Sequence, residues 1–325
     1  MKLGIISFAH VHAEGYANVI KELPNIELSG IAYEEDEYLG KAAANRFQTT
    51  FYSSVKKLLD SDIDGVIITS ENVRHRKHVE MAAEAGKAIL CEKPIATNKE
   101  DAEFIVKLCE DEGIYFQTAF PVRYNTPIRE AKKALEQGAV GEILALKGTN
   151  RGVNPGSWFT DKELAGGGAL MDHTVHVADI LRWYTDSEVS EVYAETGNLL
   201  HNHETEDCGL ITMEFETGAF ASLDVSWSRN KKFPTWGDVM IEIVGTKGNL
   251  KIDAFGQRLH VYSNEQGVSW EHWGDNMDKA MIKDFTERSM AGNTSPVTAF
   301  DGMQALNVAI AANKSSTKGK SVTIS

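Results

Sequence analysis

Cysteine, basic charge and long apolar runs are what this 325-residue chain has little of. Its three cysteines, Cys91, Cys109 and Cys208, are isolated and odd in number, with no C-x-x-C spacing. That argues against a disulfide framework or a cysteine-ligated metal, and fits buried thiols in a reducing cytoplasm. Lysine and arginine total 33 against 47 acidic residues, a formal net charge of −14. Nucleic acid and anionic membrane both need a basic face, so neither is an expected partner. No stretch approaches the roughly 20 apolar residues of a membrane span. The first apolar run, Leu3–Ala9, lacks a basic leader and a small-residue cleavage site, so a cytoplasmic protein is expected. Internal repeats and low-complexity segments are missing too. What remains, 42% hydrophobic and 25% charged, reads as a soluble globular chain long enough for two domains.

What is present first is rhythm. Over the first 120 residues, apolar strand runs at 2–7, 27–33, 65–69, 88–91 and 114–119 alternate with helical stretches. One of these opens on the capping box Thr97-Asn98-Lys99-Glu100. Such alternation predicts βαβ units, a parallel sheet and right-handed crossovers. Beyond Phe120 the rhythm changes. A helix at 126–137, a strand at 143–149 and a helix at 169–184 give way to consecutive strands from 188 to 262. Turn signals such as Thr217-Gly218 separate those strands, which predicts an α+β domain with an antiparallel sheet. Helices near 278–290 and 299–313 are expected to pack on it or return to the first domain. The boundary is placed near residue 120, giving domains of 1–120 and 121–325.

Three places carry chemistry. The loop Ser7-Phe8-Ala9-His10-Val11-His12 joins the first strand to the first helix, where a dinucleotide-binding protein has a Gly-rich turn. It contains no glycine. Ser7 and Ala9 are small, and the helix N-terminus still offers N–H groups to a pyrophosphate. The His-x-His pair, His10 and His12, also fits the start of a TIM-barrel metal hydrolase. That barrel needs eight βα units, and the consecutive strands after residue 120 argue against it. No metal is expected there, nor at His201-Asn202-His203-Glu204, which reads as a solvated loop. The second place is Cys91-Glu92-Lys93-Pro94, at the end of a buried strand where open α/β sheets bind ligands. Its plainer reading is the start of a solvated loop. The third is Gly166-Gly167-Gly168-Ala169-Leu170-Met171-Asp172-His173-Thr174-Val175-His176. A helix from Ala169 puts Asp172 and His176 on one face, and the glycines let backbone approach something closely. The plainer reading is an acidic helix start with His176 in the core.

Together, Glu92-Lys93-Pro94 and Gly-Gly-Gly-x-x-x-Asp-x-x-x-His resemble the Gfo/Idh/MocA family of NAD(P)-dependent oxidoreductases, which includes inositol dehydrogenase and glucose–fructose oxidoreductase. Asn72-Val73-Arg74-His75, Phe120-Pro121-Val122-Arg123-Tyr124 and the turn at 243–248 are similar to the family's segments at those places. The resemblance implies an α/β Rossmann domain followed by an α+β domain with a large open antiparallel sheet. It implies hydride transfer between nicotinamide and a hydroxyl-bearing carbon of a sugar, polyol or inositol-like substrate. A homodimer or homotetramer through that sheet is implied as well. Catalytic roles fall to Lys93, Asp172 and His176. Cofactor contacts are expected from Ser7, Phe8, Ala9, His10, His12, Glu34, Ser70, Asn72, His75, Glu92 and Lys93. Substrate contacts are expected from Arg123, Trp158, Asp172, His173 and His176. The opening loop departs from the family's G-x-G-x-x-G, with Ser7 and Ala9 at the first two glycines and no counterpart for the third. The non-enzymatic alternative is a Rossmann-type cofactor or sugar sensor, against which the intact Lys93, Asp172 and His176 stand. Finally, Ala32-Tyr33-Glu34-Glu35-Asp36 holds carboxylates and no Arg or Lys. A carboxylate there accepts from the adenosine ribose and repels a 2′-phosphate, so NAD is expected over NADP.

Overall fold

The apolar runs of the first 120 residues become parallel strands. In chain order they are β1 (Lys2–Ile6), α1 (His12–Glu22), β2 (Glu27–Ala32), α2 (Glu37–Phe47), β3 (Thr50–Tyr52), α3 (Val55–Leu59), β4 (Gly65–Ile68), α4 (His75–Glu84), β5 (Ala88–Glu92), α5 (Lys99–Asp111) and β6 (Phe116–Ala119). The computed structural model describes residues 1–235, 237–265, 267–272 and 274–324. The six strands lie in the order β3-β2-β1-β4-β5-β6 and pair in parallel. All four residues of β4 are buried, as a strand covered on both faces requires. The order reverses between β1 and β4, so the loop after β1 and the end of β5 open at the edge where such sheets take ligands. Capping of α5 lies one residue later than the sequence suggests. Asn98, not Thr97, accepts the N–H of Asp101 at 2.8 Å, and its amide donates to the Asp101 carboxylate.

The chain continues with α6 (Thr126–Glu136), β7 (Ile143–Val153), α7 (Lys162–Ala165), α8 (Ala169–Thr185), β8 (Val189–Gly197), β9 (Cys208–Phe215), β10 (Phe220–Arg229), β11 (Gly237–Gly245) and β12 (Asn249–Asp253). A hairpin of β13 (Arg258–Ser263) and β14 (Gly267–His272) follows, then α9 (Met277–Ala291), α10 (Ala299–Lys318) and β15 (Val322–Thr323). The large sheet runs β12-β11-β7-β10-β9-β8-β15. It is mixed rather than antiparallel, because β10 inserts beside β7 in parallel while its other pairings are antiparallel. In β9 buried and open residues alternate, the mark of one packed and one solvated face. Helix α8 covers the packed face, close enough that a Cβ on Gly148 of β7 would lie 2.7 Å from Val177. The short strands β3 and β15 carry too little pattern to be read from sequence, and β14 lies beyond the last strand expected from it.

By its contacts the chain forms two units, Met1–Pro121 with Met277–Met303, and Val122–Asn276 with Gln304–Ser325. The assignment of all residues from 121 to 325 to one domain therefore needs correction. Helix α9 belongs to the first unit, where it buries Met281, Ile282 and Phe285. The Phe285 ring stands 5.7 Å from Tyr115, and Thr118 donates to the Thr298 carbonyl at 2.9 Å. No described helix is long and apolar enough to cross a membrane.

Candidate active site

Ser7, where a dinucleotide fingerprint has its first glycine, adopts φ 72°. A side chain in that left-handed region costs about 1 kcal/mol or more. The turn is held by its own polar groups. Ser7 N–H donates to Ala32 at 2.7 Å, and Ser7 Oγ accepts the N–H of Ala9 at 3.1 Å. Phe8 is half-buried with its ring 6.0 Å from Phe47.

The two histidines of the loop converge on Glu92, which is fully buried. His12 Nδ1 lies 2.9 Å from Glu92 Oε1, and the Tyr16 hydroxyl donates to the same oxygen at 2.5 Å. The backbone N–H of Lys93 donates to Oε2 at 3.1 Å. His10 Nδ1 accepts the backbone N–H of His12, so the neutral ring carries its proton on Nε2, 3.9 Å from Glu92 Oε2. Burial works to raise the Glu92 carboxyl, but the imidazoles of His10 and His12, the His12 hydrogen bond and the Lys93 charge together outweigh it and hold the group well below the usual carboxylate range. The ligand atoms of His10, His12 and Glu92 lie within 4.8 Å of one another, close enough for a shared ion. The carboxylate is nonetheless already met by an imidazole, a phenol and a backbone N–H, donors a buried charge needs. The arrangement is that of a hydrogen-bonded network.

Asp278 of α9 joins this network, and nothing in its sequence surroundings marks it. Burial raises its carboxyl, His12 opposes, and its own charge acts on both His12 and Tyr16. Lys93 is 3% exposed.

Two expected cofactor contacts have other partners. Ser70 Oγ lies 2.9 Å from His78 Nδ1 in a hydrogen bond, and burial pushes His78 down to about 3, keeping that ring neutral. His75, fully buried, sets Nδ1 2.9 Å from the Pro94 carbonyl and Nε2 3.1 Å from the Ser70 carbonyl. Ser70 and His75 thus brace the loop after β4 against the Glu-Lys-Pro segment. Asn72 is buried in the turn between them. Glu34 is also engaged, since its Oε1 accepts the Val55 N–H at 2.7 Å at the start of α3. The acidic corner after β2 is not free of cations either. Arg74 pairs with Glu35 at 3.1 Å and with Glu71 at 3.0 Å.

In the second unit Gly166 ends α7 at φ 82°, and Gly167 and Gly168 approach their own chain. A Cβ on Gly168 would lie 2.0 Å from the Glu206 carbonyl oxygen and 2.9 Å from Thr205. Glu206 caps α8: its carboxylate accepts the N–H groups of Gly168 and Leu170 at 2.7 and 3.1 Å, and its carbonyl accepts that of Ala169 at 2.9 Å. No sequence signal points to Glu206. Past the cap, Asp172 Oδ2 accepts the indole N–H of the fully buried Trp227 at 3.2 Å and stands 3.2 Å from His173 Nε2. His173 Nδ1 lies 3.0 Å from the Asn150 carbonyl, and the Asn150 amide donates back to the His173 carbonyl. His176, one turn on, is 5% exposed.

Arg123 and Trp158, expected as substrate contacts, both have protein partners. The Arg123 guanidinium makes a bidentate pair with the buried Asp179 of α8, at 2.7 and 2.8 Å, and lies over the Trp183 ring. Trp158 is 8% exposed and stacks on Phe159 at 4.0 Å, a packing role. The stretch from His201 is more ordered than a solvated loop. Asp207 accepts the backbone N–H groups of Leu199, Leu200 and His201, and His203 packs 5.6 Å from the Trp227 ring. His201, His203 and Asp207 also bring ligand atoms within 4.8 Å, but the buried carboxylate is occupied by backbone.

Comparison with known proteins agrees with both units. Residues 1–120 match the profile described as the oxidoreductase family with an NAD-binding Rossmann fold, and residues 128–251 match the GFO/IDH/MocA C-terminal domain. The chain is 29% identical to the uncharacterized oxidoreductase YrbE of Bacillus subtilis, over 94% of this chain and 91% of that one. It is 26% identical to the myo-inositol 2-dehydrogenase of Thermotoga maritima, over 99% and 98%. Its fold superposes on scyllo-inositol dehydrogenase from Lactobacillus casei, solved with NAD(H) and scyllo-inositol, with a TM-score of 0.84 at 23% identity over 100% and 99% of the two chains.

Proposed function

We propose, for a chain that belongs to the Gfo/Idh/MocA oxidoreductase family, that it is a cytoplasmic NAD-dependent dehydrogenase of a secondary hydroxyl on a sugar, polyol or inositol-like substrate. The observation that carries this reading is the order at the start of α8. There a carboxylate held by Trp227 and His173 precedes a buried histidine by one turn. The Thermotoga myo-inositol 2-dehydrogenase supports the substrate class. When bound, nicotinamide supplies the hydride chemistry. The α1 N-terminus and the loop at 7–12 would hold the dinucleotide's pyrophosphate. His176 takes the hydroxyl proton, Asp172 orients substrate or imidazole, and the Lys93 ammonium donates to the reacting oxygen. A panel of sugars and inositols with NAD, followed by the absorbance of reduced cofactor, tests the reading. Silence across the panel with cofactor bound would replace it by the sensor.

NAD is the expected cofactor. Glu34, Glu35 and Glu71 outnumber Arg74 at the corner after β2, so a 2′-phosphate meets net negative charge. NADP is expected to bind at least tenfold more weakly, roughly one charge repulsion in a partly screened site. Equal or tighter binding of NADP in a titration would show that Arg74 leaves its carboxylates for the phosphate.

No step calls on a metal. Activity is expected to persist through exhaustive chelation and to gain nothing from added zinc or manganese. Loss with chelator and recovery with either ion would move the chemistry to His10, His12 and Glu92.

The exposed face of the large sheet is the proposed surface for pairing into a dimer or tetramer. Tyr193, Leu210, Phe220 and Val244 stand on it by register and are 39–64% exposed.

A further inference from the structure

Glycines in a dinucleotide loop let backbone N–H groups close on the pyrophosphate, and this loop has none. Something else must meet that charge. His12 is the first residue of α1, the helix whose N-terminus points at phosphate in this fold. Its Nδ1 is fixed by Glu92 Oε1 at 2.9 Å, and its side chain keeps 33% of its surface exposed. A ring so held is oriented by one nitrogen and has a second N–H to give when protonated.

We propose that the His12 imidazolium, backed by Glu92, is the counter-charge of the cofactor diphosphate, so that this glycine-free loop binds its dinucleotide with uptake or retention of a proton. The inference rests on the dehydrogenase reading only in that the loop takes a dinucleotide.

The groups facing His12 come from four segments. Tyr16 lies on the same helix, its oxygen 3.4 Å from Nδ1, and His10 lies in the loop, its ring 4.4 Å away. Glu92 and Lys93 come from the end of β5, and Asp278 from α9. Burial works against the charged ring. The charge and hydrogen bond of Glu92 outweigh it, Lys93 opposes and Asp278 assists, so the ring titrates above its ordinary value. Tyr16 is held well above its own ordinary value and stays a neutral donor throughout.

Affinity should therefore be high while His12 is charged and fall as pH rises through its titration. The probe is ADP-ribose, whose diphosphate keeps its charge across the range, with adenosine as the phosphate-free control. From pH 6 to pH 9 the Kd of the whole protein for ADP-ribose is expected to rise roughly tenfold or more, the worth of one hydrogen bond to a charged group. Adenosine binding should stay flat. His12→Gln should bind ADP-ribose weakly at pH 6 and show no pH dependence, while Asp278→Asn should shift the midpoint downward and keep the dependence. A flat wild-type profile, or equal slopes for ADP-ribose and adenosine, would overturn the proposal. A dependence that survives in His12→Gln would also overturn it, by assigning the proton to His10 or Asp278. Should His12→Gln fail to fold, a flat ADP-ribose profile of the wild type still overturns the proposal, and so does an unmoved midpoint in Asp278→Asn. Failure to bind NAD at any pH would instead sink the dehydrogenase reading.

Discussion

Replacing His176 or Lys93 by alanine is expected to lower kcat by at least 10²-fold while NAD still binds. Oxidising an alcohol removes the hydroxyl proton as hydride leaves carbon, and loss of a general base typically costs about 10²–10⁴ in rate. Imidazole suits this because its ordinary pKa, about 6.5, lies near working pH. Lys93 acts differently. In the proposed reaction its ammonium stabilises alkoxide character on the oxygen, and a lost donor of this kind is worth about 10²–10³. The rival base is His173. Its Nδ1 lies 3.0 Å from the Asn150 carbonyl and its Nε2 faces Asp172, so both ring nitrogens have protein partners. That arrangement suits holding the carboxylate better than turning over protons with substrate. Steady-state kinetics with a cofactor titration on each variant separates the two. If His176→Ala keeps near-normal kcat and His173→Ala abolishes it, the base is His173.

Gly168→Ala is expected to cost about 3 kcal/mol or more of stability and nearly all activity. Its new Cβ would sit 2.0 Å from a backbone carbonyl, which has no rotamer to give. Overpacking alone costs about 1–3 kcal/mol. Here relief requires moving residues 205–206, and with them the Glu206 bonds to three N–H groups at the start of α8. A lost helix cap adds about 1 kcal/mol. The damage falls one turn before Asp172. Gly167→Ala is the control: its Cβ would meet a Met171 side-chain carbon at 3.1 Å, and a small shift relieves it. Thermal melts and activity of both variants test this. A Gly168→Ala melt within a degree or two of wild type would mean that the Glu206 contact is not what the glycine serves.

Much of this was legible in the residues themselves. Alternating apolar runs and helical stretches predict parallel βαβ units because each element must bury one face against its neighbour, and that demand is local. The register of Asp172 and His176 follows from helix periodicity, and the place of Glu92 and Lys93 follows from their position at a strand end. Partners are another matter, because pattern says which face is buried but not against what. Arg123 reads as a site residue until Asp179 occupies its guanidinium in the interior. The glycines before α8 read as room for a ligand until Glu206, beyond α8 and β8 in the chain, fills that room with its own backbone. Glu206, Trp227 and Asp278 carry no local signal, since their roles arise from what lies beside them in space and far from them in sequence. The return of α9 to the first unit and the parallel insertion of β10 beside β7 are of the same kind. Periodicity selects elements and faces; only packing, which joins distant segments under steric and hydrogen-bonding constraints, selects the pairs.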